Sequence, residues 1–464
     1  MTRRKTIVLV ALLLAIYQVA LAEHTRLRPR VVNGLPSTSF PQVGAVLFVS
    51  SVERGERLYT TCTGTLIGCS TVLTAAHCVC PDWVDSAADC DTLGVADPAG
   101  IFMFFQHAGY LPVESVVVHP GYQLGVASDL AILKLAVPAS GFPPLPTNEV
   151  ASPAPGTVGI IVGFGITSDD EYRPGVKRYG SVVTAQCAGL VPDNTHVCWD
   201  FLAPIGAPGD DSNTCHGDSG GPLFSSVEGQ PVLAGVTSGG SGTCGAGSAS
   251  FDVDVYFDRE WIRNEAGADL GGERCGDLAQ VGESGTMVAS VADGSLSAWE
   301  PEGELTIEVR ENTVLLRVTL NGQDANDLYG LGFPQGNDFD LYVRVGEQPI
   351  EEGFDCVDPT MGTYGLCEID FPDPGTWHVT ANRFVGQGAF RLTAVAFSRA
   401  PPARCVGDCD GNGDVTVDEL LTMVNIALGS ASVLGCGSGG INGNGEIMVD
   451  EIMTAVSRAL EGCT

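Results

Sequence analysis

The sequence predicts a mainly β protein of several domains that ends in a small helical module. Its 464 residues are too many for one ordinary domain. From residue 31 to about 265, short β-branched runs alternate with Gly, Pro and Ser, a pattern typical of an all-β barrel or sandwich. Near the C-terminus, two apolar runs with helical spacing each follow an Asn- and Gly-rich loop.

The composition is that of a globular protein, with 44% hydrophobic and 17% charged residues. The formal net charge of −33 argues against nucleic acid as a partner, because phosphate groups would be repelled. We expect a solvated acidic surface, and an anionic surface that attracts calcium is the alternative.

The N-terminal segment predicts export. Residues 1–22 combine a basic start, an apolar run and a small-residue cleavage site at Ala20-Leu21-Ala22, as a signal peptide does. An uncleaved membrane anchor is the alternative, since the run is nearly long enough to span a bilayer. Export to an oxidising compartment predicts disulfides for the 16 cysteines. For four of them zinc binding is the alternative: Cys405, Cys409, Cys436 and Cys463.

Composition changes divide the rest of the chain into modules. The segments 266–277 and 399–404 are predicted linkers, the second stiffened by prolines. Between them, DFDLYVRV (338–345) and TWHVTANRF (376–384) alternate with period two and predict half-buried strands. Beyond the second linker, residues 418–429 and 450–462 form an internal repeat and predict two helices that each end at Gly.

A catalytic constellation is predicted by CHGDSGGP (215–222), in which Ser219 lies within a G-x-S-x-G pattern. A serine hydroxyl is a weak nucleophile and needs a base, oriented in turn by a carboxylate. The segments TAAHC (74–78) and SDLAILKL (128–135) supply His77 and Asp129. This order is His, Asp, Ser, whereas an α/β-hydrolase runs Ser, Asp, His and places a helix after its serine. An esterase of that class is therefore disfavoured.

The segment 31–265 resembles the trypsin-like, chymotrypsin-fold serine endopeptidases. The resemblance rests on motifs in the family's order: VVNG (31–34), CTGTLIG (62–68), TAAHC, DLAILKL, GDSGGP (217–222) and DREWI (258–262). It implies a double β-barrel that hydrolyses peptide bonds of protein substrates. It also implies that Ser219 attacks the carbonyl carbon, His77 transfers the proton and Asp129 orients His77. The amides of Gly217 and Ser219 would form the oxyanion hole.

The resemblance also implies a zymogen. Cleavage after Arg30 would remove a propeptide, residues 23–30, and free the α-amino group of Val31. In the family this group turns inward and pairs with the carboxylate before the nucleophile, here Asp218. A buried carboxylate without a partner is costly, so the pair would fix the loop that carries Gly217 and Ser219, here called the oxyanion loop.

Three residues are assigned to the substrate pocket by the resemblance: Asn213, Ser238 and Gly240. Asn213 stands at the pocket floor, where trypsins carry Asp, and Gly239 replaces a common aromatic residue. Nearby charges that could compensate are Asp210, Asp211 and Asp252. We expect an uncharged or mixed preference at P1, the residue before the cleaved bond. A separate activating protease would then have to cut after Arg30.

The family implies the disulfides Cys62–Cys78, Cys187–Cys198 and Cys215–Cys244. Cys69, Cys80 and Cys90 are additional, and we expect two of them to pair. The third could reach Cys275, but the sequence does not decide this.

Residues 278–398 resemble the pre-peptidase C-terminal domain, a small β-sandwich found on secreted bacterial proteases. The likeness rests on residues 337–349 and 374–384 and on Cys356 and Cys367, which it pairs. Such a module aids secretion or substrate attachment, or is removed. Trp377 and Tyr342 are predicted to pack in its core, with ligand contact as the alternative.

The last module, residues 403–464, contains a predicted calcium loop of the pattern D-x-[DN]-x-[DN]-G-x5-E. Its ligands would be Asp408, Asp410, Asn412, Asp414, Thr416 and Glu419. A second loop, 440–451, has Gly440 in place of the first carboxylate and should bind calcium weakly or not at all. The two loops, each followed by a helix, resemble dockerin-type repeats. Dockerins usually carry Asp where Glu419 and Glu451 stand, so we expect structural calcium rather than cohesin docking, with the tail's partner left open.

Two functional hypotheses follow. The first is a secreted, zymogen-activated serine endopeptidase that needs no cofactor for catalysis. The second is a binding or scaffold protein in which the protease fold serves only for recognition and the tail docks on a partner. The complete triad and the Arg30-Val31 junction favour the first.

Overall fold

The computed structural model describes residues 31–462 except 53–54, 82–83, 169–172, 203–206, 228, 273–274, 276–285, 325–335, 350–352, 399–405, 410–413, 429, 432–435 and 437–446. The predicted signal peptide and propeptide, with Arg30, therefore lie outside the described residues. So do Asp410 and Asn412, Cys405 and Cys463, and most of the second loop. Two compact units are present: one holds two barrels and a β-sandwich, and the other holds two C-terminal helices.

The first barrel is closed and has six strands. They are β2 (Val43–Val52), β3 (Gly55–Leu66), β4 (Thr71–Thr74), β5 (Ile101–Phe105), β6 (Gly109–Val118) and β7 (Ala131–Leu135), in the spatial order β2-β3-β4-β7-β6-β5. Apolar side chains such as Val72, Met103 and Leu133 fill its interior. A short helix, α1 (Ala87–Leu93), begins at Ser86, whose hydroxyl accepts a hydrogen bond from the Asp89 amide and so caps it.

The second barrel also closes with six strands and carries a short edge strand, β1 (Leu35–Pro36). The six are β8 (Val158–Gly163), β9 (Arg178–Ala185), β10 (His196–Phe201), β11 (Pro222–Val227), β12 (Gln230–Gly240) and β13 (Ser248–Asp254), closed by the pairing of β8 with β9. The predicted all-β architecture of this region is confirmed. Helix α2 (Arg259–Ala266) follows β13 and ends at Gly267, whose φ of 63° suits glycine.

The predicted linker after α2 is fastened to the first barrel. The Asp269 carboxylate accepts hydrogen bonds from the amides of Cys69 and Ser70, each 2.9 Å long, and from the Thr71 hydroxyl at 2.7 Å. The disulfide Cys69–Cys275 fixes the same place covalently. The composition predicted a linker here, and these contacts hold its described residues on the barrel.

The β-sandwich consists of two antiparallel four-stranded sheets. Its strands are β14 (Thr286–Leu296), β15 (Glu302–Val309), β16 (Thr313–Gly322), β17 (Asp338–Val345), β18 (Cys356–Asp358), β19 (Tyr364–Asp370), β20 (Gly375–Val385) and β21 (Gly388–Ser398). The sheet orders are β14-β21-β16-β19 and β15-β20-β17-β18. The two strands predicted from alternation correspond to β17 and β20. Trp377 is buried in the core and donates its indole N–H to the Asp373 carbonyl oxygen at 2.8 Å, as the core-packing interpretation expects.

The second unit contains helices α3 (Val417–Ala427) and α4 (Val449–Glu461), within two residues of the predicted helices. Met423 and Ala455 are buried between them. Cys409 and Cys436 form a disulfide, so zinc binding by this pair is wrong. None of the helices within the described ranges is long and apolar enough to cross a membrane.

Candidate active site

The two barrels present the predicted catalytic residues to one cleft. His77 lies in a 3-10 turn, Ala76–Cys78, directly after β4, and Asp129 lies two residues before β7. Ser219 precedes β11 in the second barrel. His77 and Ser219 line the same cavity of about 500 Å³. The structure therefore brings the three residues together from segments that are far apart in the sequence.

Asp129 holds His77 with two hydrogen bonds. The His77 amide donates to Oδ1 at 3.0 Å, and the His77 Nδ1 atom lies 2.6 Å from Oδ2. Asp129 is fully buried, and burial alone would raise the pKa of its carboxyl. The charge of His77 and the hydrogen bonds from His77 and Ser238 outweigh burial and hold that pKa below its usual value. An ionised Asp129 keeps the proton on Nδ1, which leaves Nε2 as the base.

Ser128, the residue before Asp129, is held in an unusual backbone conformation. Ser128 has a φ of 53°, in the left-handed region that non-glycine residues seldom adopt. Its hydroxyl donates to Asp258 Oδ1 at 2.9 Å, and His119 Nε2 lies 3.4 Å from the same oxygen. The DREWI motif thus contributes a support for the triad that sequence reasoning missed. The signal was present, since Asp258 opens the motif.

The loop around the nucleophile is braced from the first barrel. The Thr63 amide donates to the Ser219 carbonyl oxygen at 2.8 Å, and the Thr63 hydroxyl donates to the Gly217 carbonyl oxygen, also at 2.8 Å. Both carbonyl groups are therefore held in place. Within the ranges that the structure describes, the amides of Gly217 and Ser219 donate no hydrogen bond to protein, so both remain available to an oxyanion.

Gly217 needs to be glycine. Its φ is 90°, and a Cβ there would lie 2.9 Å from the Gly165 α-carbon. The Pro174 Cβ would lie 3.5 Å from the same added Cβ. The oxyanion loop is thus bordered by Gly165 and Pro174.

Asp218 is buried beneath this loop. Its Oδ1 accepts the Gly165 amide at 2.8 Å and its Oδ2 accepts the Cys215 amide at 2.9 Å. Burial nevertheless raises the pKa of its carboxyl to about 7. Val31 is fully buried in a cluster with Ile161 and Trp199, so the residue after the predicted cleavage point already occupies the second barrel.

The substrate pocket lies beside Ser219 and has a volume of about 160 Å³. Its walls, as far as the structure describes them, hold no Asp, Glu, Lys or Arg. The lining residues are Thr214, Cys215, His216, Ser219, Thr237, Gly239, Gly240, Gly242, Thr243, Cys244 and Ser250. The predicted rim residue, Gly240, is among them.

Asn213 is behind the pocket rather than in its wall, which corrects the prediction that its side chain forms the floor. Its Oδ1 accepts from the Trp199 indole at 3.0 Å and from the Ser250 hydroxyl at 2.8 Å. Its Nδ2 donates to the Cys244 carbonyl oxygen at 3.2 Å and to the Ser248 hydroxyl at 3.0 Å. Two donors and two acceptors are all that an amide offers, so none remains for substrate.

Ser238 is likewise turned away from the pocket, which corrects its assignment there. Its hydroxyl donates to Asp129 Oδ2 at 2.6 Å, while its neighbours Thr237 and Gly239 line the cavity. The regular pairing of β12 with β13 shifts between Thr237 and Gly239, so Ser238 stands at an irregularity of the strand, where its side chain reaches Asp129.

The structure also shows what surrounds Gly239 and where the three carboxyl groups that could have supplied a charge to the pocket lie. A Cβ on Gly239 would lie 2.7 Å from the Phe251 ring, so Phe251 occupies the space that a larger residue at 239 would need. Asp252 is fully buried, and burial raises the pKa of its carboxyl well above the usual value. Asp210 is exposed and accepts the Ala207 amide at 3.0 Å. Neither carboxyl, nor that of Asp211, lines the pocket.

The disulfides brace the site. The structure contains the pairs that the resemblance implied: Cys62–Cys78, Cys187–Cys198, Cys215–Cys244 and Cys356–Cys367. The sequence left the pairing of Cys69, Cys80 and Cys90 open. In the structure Cys80 pairs with Cys90, and Cys69 pairs with Cys275. Among the described residues, Cys62, His77 and Cys78 also lie close enough together to suggest a metal site. Both of these thiols are used in the disulfide, so the cluster offers no thiolate.

The first predicted calcium loop is described only in part. Glu419 is buried, its Oε1 accepts the Cys409 amide at 2.8 Å, and its Oε2 accepts the Thr416 amide at 2.7 Å. The carboxylate thus connects the beginning and the end of the loop. This position and the oxygen chemistry of Asp408, Asp414 and Thr416 fit a hard cation.

Two six-stranded barrels with serine, histidine and aspartate in their shared cleft define a serine hydrolase of the double-barrel class. A family model described as "Trypsin" matches residues 36–262. Tryptase of Mus musculus is 29% identical over 232 residues, which cover 45% of this chain and 80% of that protein. Chymotrypsin-like elastase family member 1 of Bos taurus is 31% identical over 250 residues, covering 48% and 84%.

A third relative is the fibrinolytic enzyme, isozyme C, of Lumbricus rubellus, 30% identical over 204 residues that cover 39% of this chain and 79% of the relative. The chain belongs to the trypsin family of serine proteases. It is accordingly a serine-type endopeptidase that acts on protein substrates.

Proposed function

We propose that this endopeptidase works through an acyl-enzyme formed on Ser219, with His77 as the base and Asp129 as its orienting partner. The observation that carries the proposal is the 2.6 Å contact between His77 Nδ1 and a buried, ionised Asp129, at the edge of the cavity that Ser219 lines. This arrangement leaves Nε2 of His77 as the acceptor for the Ser219 proton.

The chemical steps follow from this arrangement. The Ser219 Oγ forms a bond to the carbonyl carbon while its proton passes to His77 Nε2. The carbonyl oxygen becomes negative and accepts hydrogen bonds from the Gly217 and Ser219 amides. The C–N bond then breaks as His77 returns the proton to the leaving amine, and water repeats the sequence to release the acid and restore Ser219.

The chain is exported and activated by cleavage after Arg30. Support comes from Val31, whose φ of 47° is in the left-handed region that a β-branched side chain rarely adopts. The clash responsible involves the preceding carbonyl group, so hydrolysis of that bond removes the strain. The freed ammonium group then pairs with Asp218, whose pKa of about 7 marks a carboxylate in need of a cation.

The enzyme takes an uncharged side chain at P1. Its pocket is small, the described lining holds no Asp, Glu, Lys or Arg, and the Asn213 amide is fully engaged by protein. Such a pocket offers no counter-charge to Lys or Arg. The enzyme therefore does not cut after Arg30 itself, and a protease specific for Arg activates it.

The C-terminal unit binds a structural calcium ion through Asp408, Asp410, Asn412, Asp414, Thr416 and Glu419. The buried Glu419 carboxylate supports this, because it joins both ends of the loop. The calcium ion would neutralise the negative charge of these carboxylates. It takes no part in peptide hydrolysis.

The decisive test uses Ser219→Ala in the Arg30-cleaved chain. Peptide turnover should fall about 10⁶-fold, and labelling by a fluorophosphonate probe should disappear. Ser225→Ala changes a buried serine of β11 and is the matched control. Equal labelling of the Ser219→Ala and Ser225→Ala chains would remove Ser219 from the mechanism. Inert wild-type protein would favour the scaffold hypothesis.

A further inference from the structure

The β-sandwich packs on the protease barrels through one face of β16. Arg317, Thr319 and Asn321 alternate along this strand, so their side chains point to the same side. The side chains between them, Val318 and Leu320, are in the sandwich core. One strand therefore serves two interfaces, an apolar one inside the sandwich and a polar one toward the barrels.

Each of the three polar residues contacts a different backbone carbonyl group of the barrels. Arg317 is buried and donates to the His107 carbonyl oxygen at 2.8 Å. Thr319 donates its hydroxyl hydrogen to the Gln106 carbonyl oxygen at 2.7 Å. Asn321 donates its side-chain amide to the Gly175 carbonyl oxygen at 2.8 Å. The contact is specific, because each of the three side chains donates to a defined carbonyl oxygen on a buried surface.

Neighbouring strand β19 and the residues after β16 extend the contact. The Tyr364 ring meets the Phe104 ring edge-on with centroids 4.8 Å apart, and its hydroxyl bonds to Thr60. Asp324 is fully buried and pairs with Arg57. Buried ion pairs and aromatic contacts of this kind are features of a permanent interface rather than of a detachable module.

The contact reaches the oxyanion loop through residues 174–175. Asp324 donates its amide to the Pro174 carbonyl oxygen at 2.8 Å, next to the Asn321 bond to Gly175. Gly175 has a φ of 117°, and a Cβ on it would overlap the Gly322 carbonyl oxygen. The ring of Pro174 meanwhile faces Gly217, with its Cβ 3.5 Å from the place where a Cβ on Gly217 would stand. Residues 174–175 are therefore clamped between the sandwich and an oxyanion-hole residue.

We propose that the β-sandwich holds the oxyanion hole in its working shape, with Asn321 as the positioning residue that acts through Gly175 and Pro174 on Gly217. This inference rests on the proposed role of the Gly217 amide. An oxyanion donor is effective only at hydrogen-bond distance from the developing charge, so a loosened Pro174 lowers the rate without affecting ground-state binding.

The test is Asn321→Ala in the full chain after cleavage at Arg30, with rates normalised to folded protein by near-ultraviolet circular dichroism. We expect kcat to fall about tenfold and KM to stay within twofold, since outright removal of an oxyanion donor costs about 10²–10³ in kcat. Affinity for a peptide aldehyde, which places a tetrahedral oxyanion in the hole, should fall by the same factor. Affinity for a non-covalent peptide amide of the same sequence should not change.

Two controls separate positioning from stability. Thr319→Ala removes one hydrogen bond from the same interface, but its acceptor, Gln106, is in the first barrel. Val318→Ala weakens the sandwich core without touching the barrels. Both should lower the melting temperature and leave kcat unchanged. Should Asn321→Ala fail to fold, Asn321→Ser carries the same test, because its side chain is too short to reach Gly175.

The outcomes distinguish this inference from the proposed function. If the wild-type enzyme is active and the kcat of Asn321→Ala equals that of Thr319→Ala, the positioning role of Asn321 is overturned and the proposed function is not. An inert wild-type chain overturns the proposed function. The positioning role is also overturned if Asn321→Ala raises KM and weakens peptide-amide binding by the same factor, because that result would place Asn321 in substrate binding.

Discussion

Ser238 donates its hydroxyl hydrogen to Asp129 across 2.6 Å, to the same carboxylate oxygen that contacts His77 Nδ1. The two donors together offset the burial of this carboxylate. Ser238 comes from the second barrel and Asp129 from the first, so the bond also joins the two halves of the cleft. Strand β12 thereby contacts Asp129 as well as lining the pocket.

We expect Ser238→Ala to lower kcat/KM about tenfold, since a hydrogen bond to a charged group is worth about 1.5–3 kcal/mol. Loss of this donor leaves more of the negative charge of Asp129 to stabilise the His77 imidazolium, so the acid limb of the pH–rate profile should move to higher pH. Steady-state kinetics from pH 5 to 9 measure both effects. The control is Ser225→Ala, and a Ser238→Ala profile that matches it would contradict the prediction.

Asn213→Asp should not create specificity for Lys or Arg. One oxygen of the new carboxylate would face the Cys244 carbonyl oxygen, to which Nδ2 now donates, and the two oxygens would repel each other. A buried carboxylate without a cationic partner costs about 3–5 kcal/mol, so the carboxyl should take up a proton and the protein should lose stability. A P1 substrate library and the melting temperature measure the two consequences. Efficient cleavage after Arg by this variant would refute the orientation of Asn213.

The triad and the strand-rich architecture could be predicted because they depend on local signals. His77, Asp129 and Ser219 each lie in a short motif, and β17 and β20 each show a period of two. The orientation of Asn213 could not be predicted, because its four partners lie 14 to 37 positions away in sequence. The polar face of β16 was also ambiguous, since Arg317, Thr319 and Asn321 would suit solvent as well as a second domain.

The uncleaved chain should lose stability as pH rises from about 4 to 7. Asp218 has a pKa of about 7 in the fold against an ordinary value of 3.8, so the folded state retains a proton that the unfolded state releases in this window. The sign follows from linkage: stability falls with rising pH wherever the folded state binds more protons. The shift corresponds to about 4 kcal/mol.

Urea denaturation of the uncleaved chain at pH 4.5 and 7.5 measures this loss. The Asp218→Asn chain is the control, because an amide does not titrate, and its stability difference between the two pH values should be smaller by about 3 kcal/mol, since pH 4.5 already lies above the ordinary pKa of the carboxyl. After cleavage at Arg30 the new ammonium group lowers the pKa of Asp218, and the loss should disappear. Identical pH dependence in the uncleaved wild type and Asp218→Asn would contradict the assignment.

Calcium should bind to the first C-terminal loop and depend on Glu419. Isothermal titration of the full chain with calcium should detect one strong site, and Glu419→Gln should abolish it by removing the charge that a bidentate ligand needs.

The matched control is Glu451→Gln. Both glutamates are buried at the third position of a helix and accept the amide of the residue that caps it, Thr416 or Met448. Glutamine keeps an acceptor oxygen for that capping bond in both variants, so neither helix loses its cap. Calcium affinity should therefore differ between them only through the ligand role of Glu419, and equal loss in both would show that the two carboxylates act on the fold rather than on a cation.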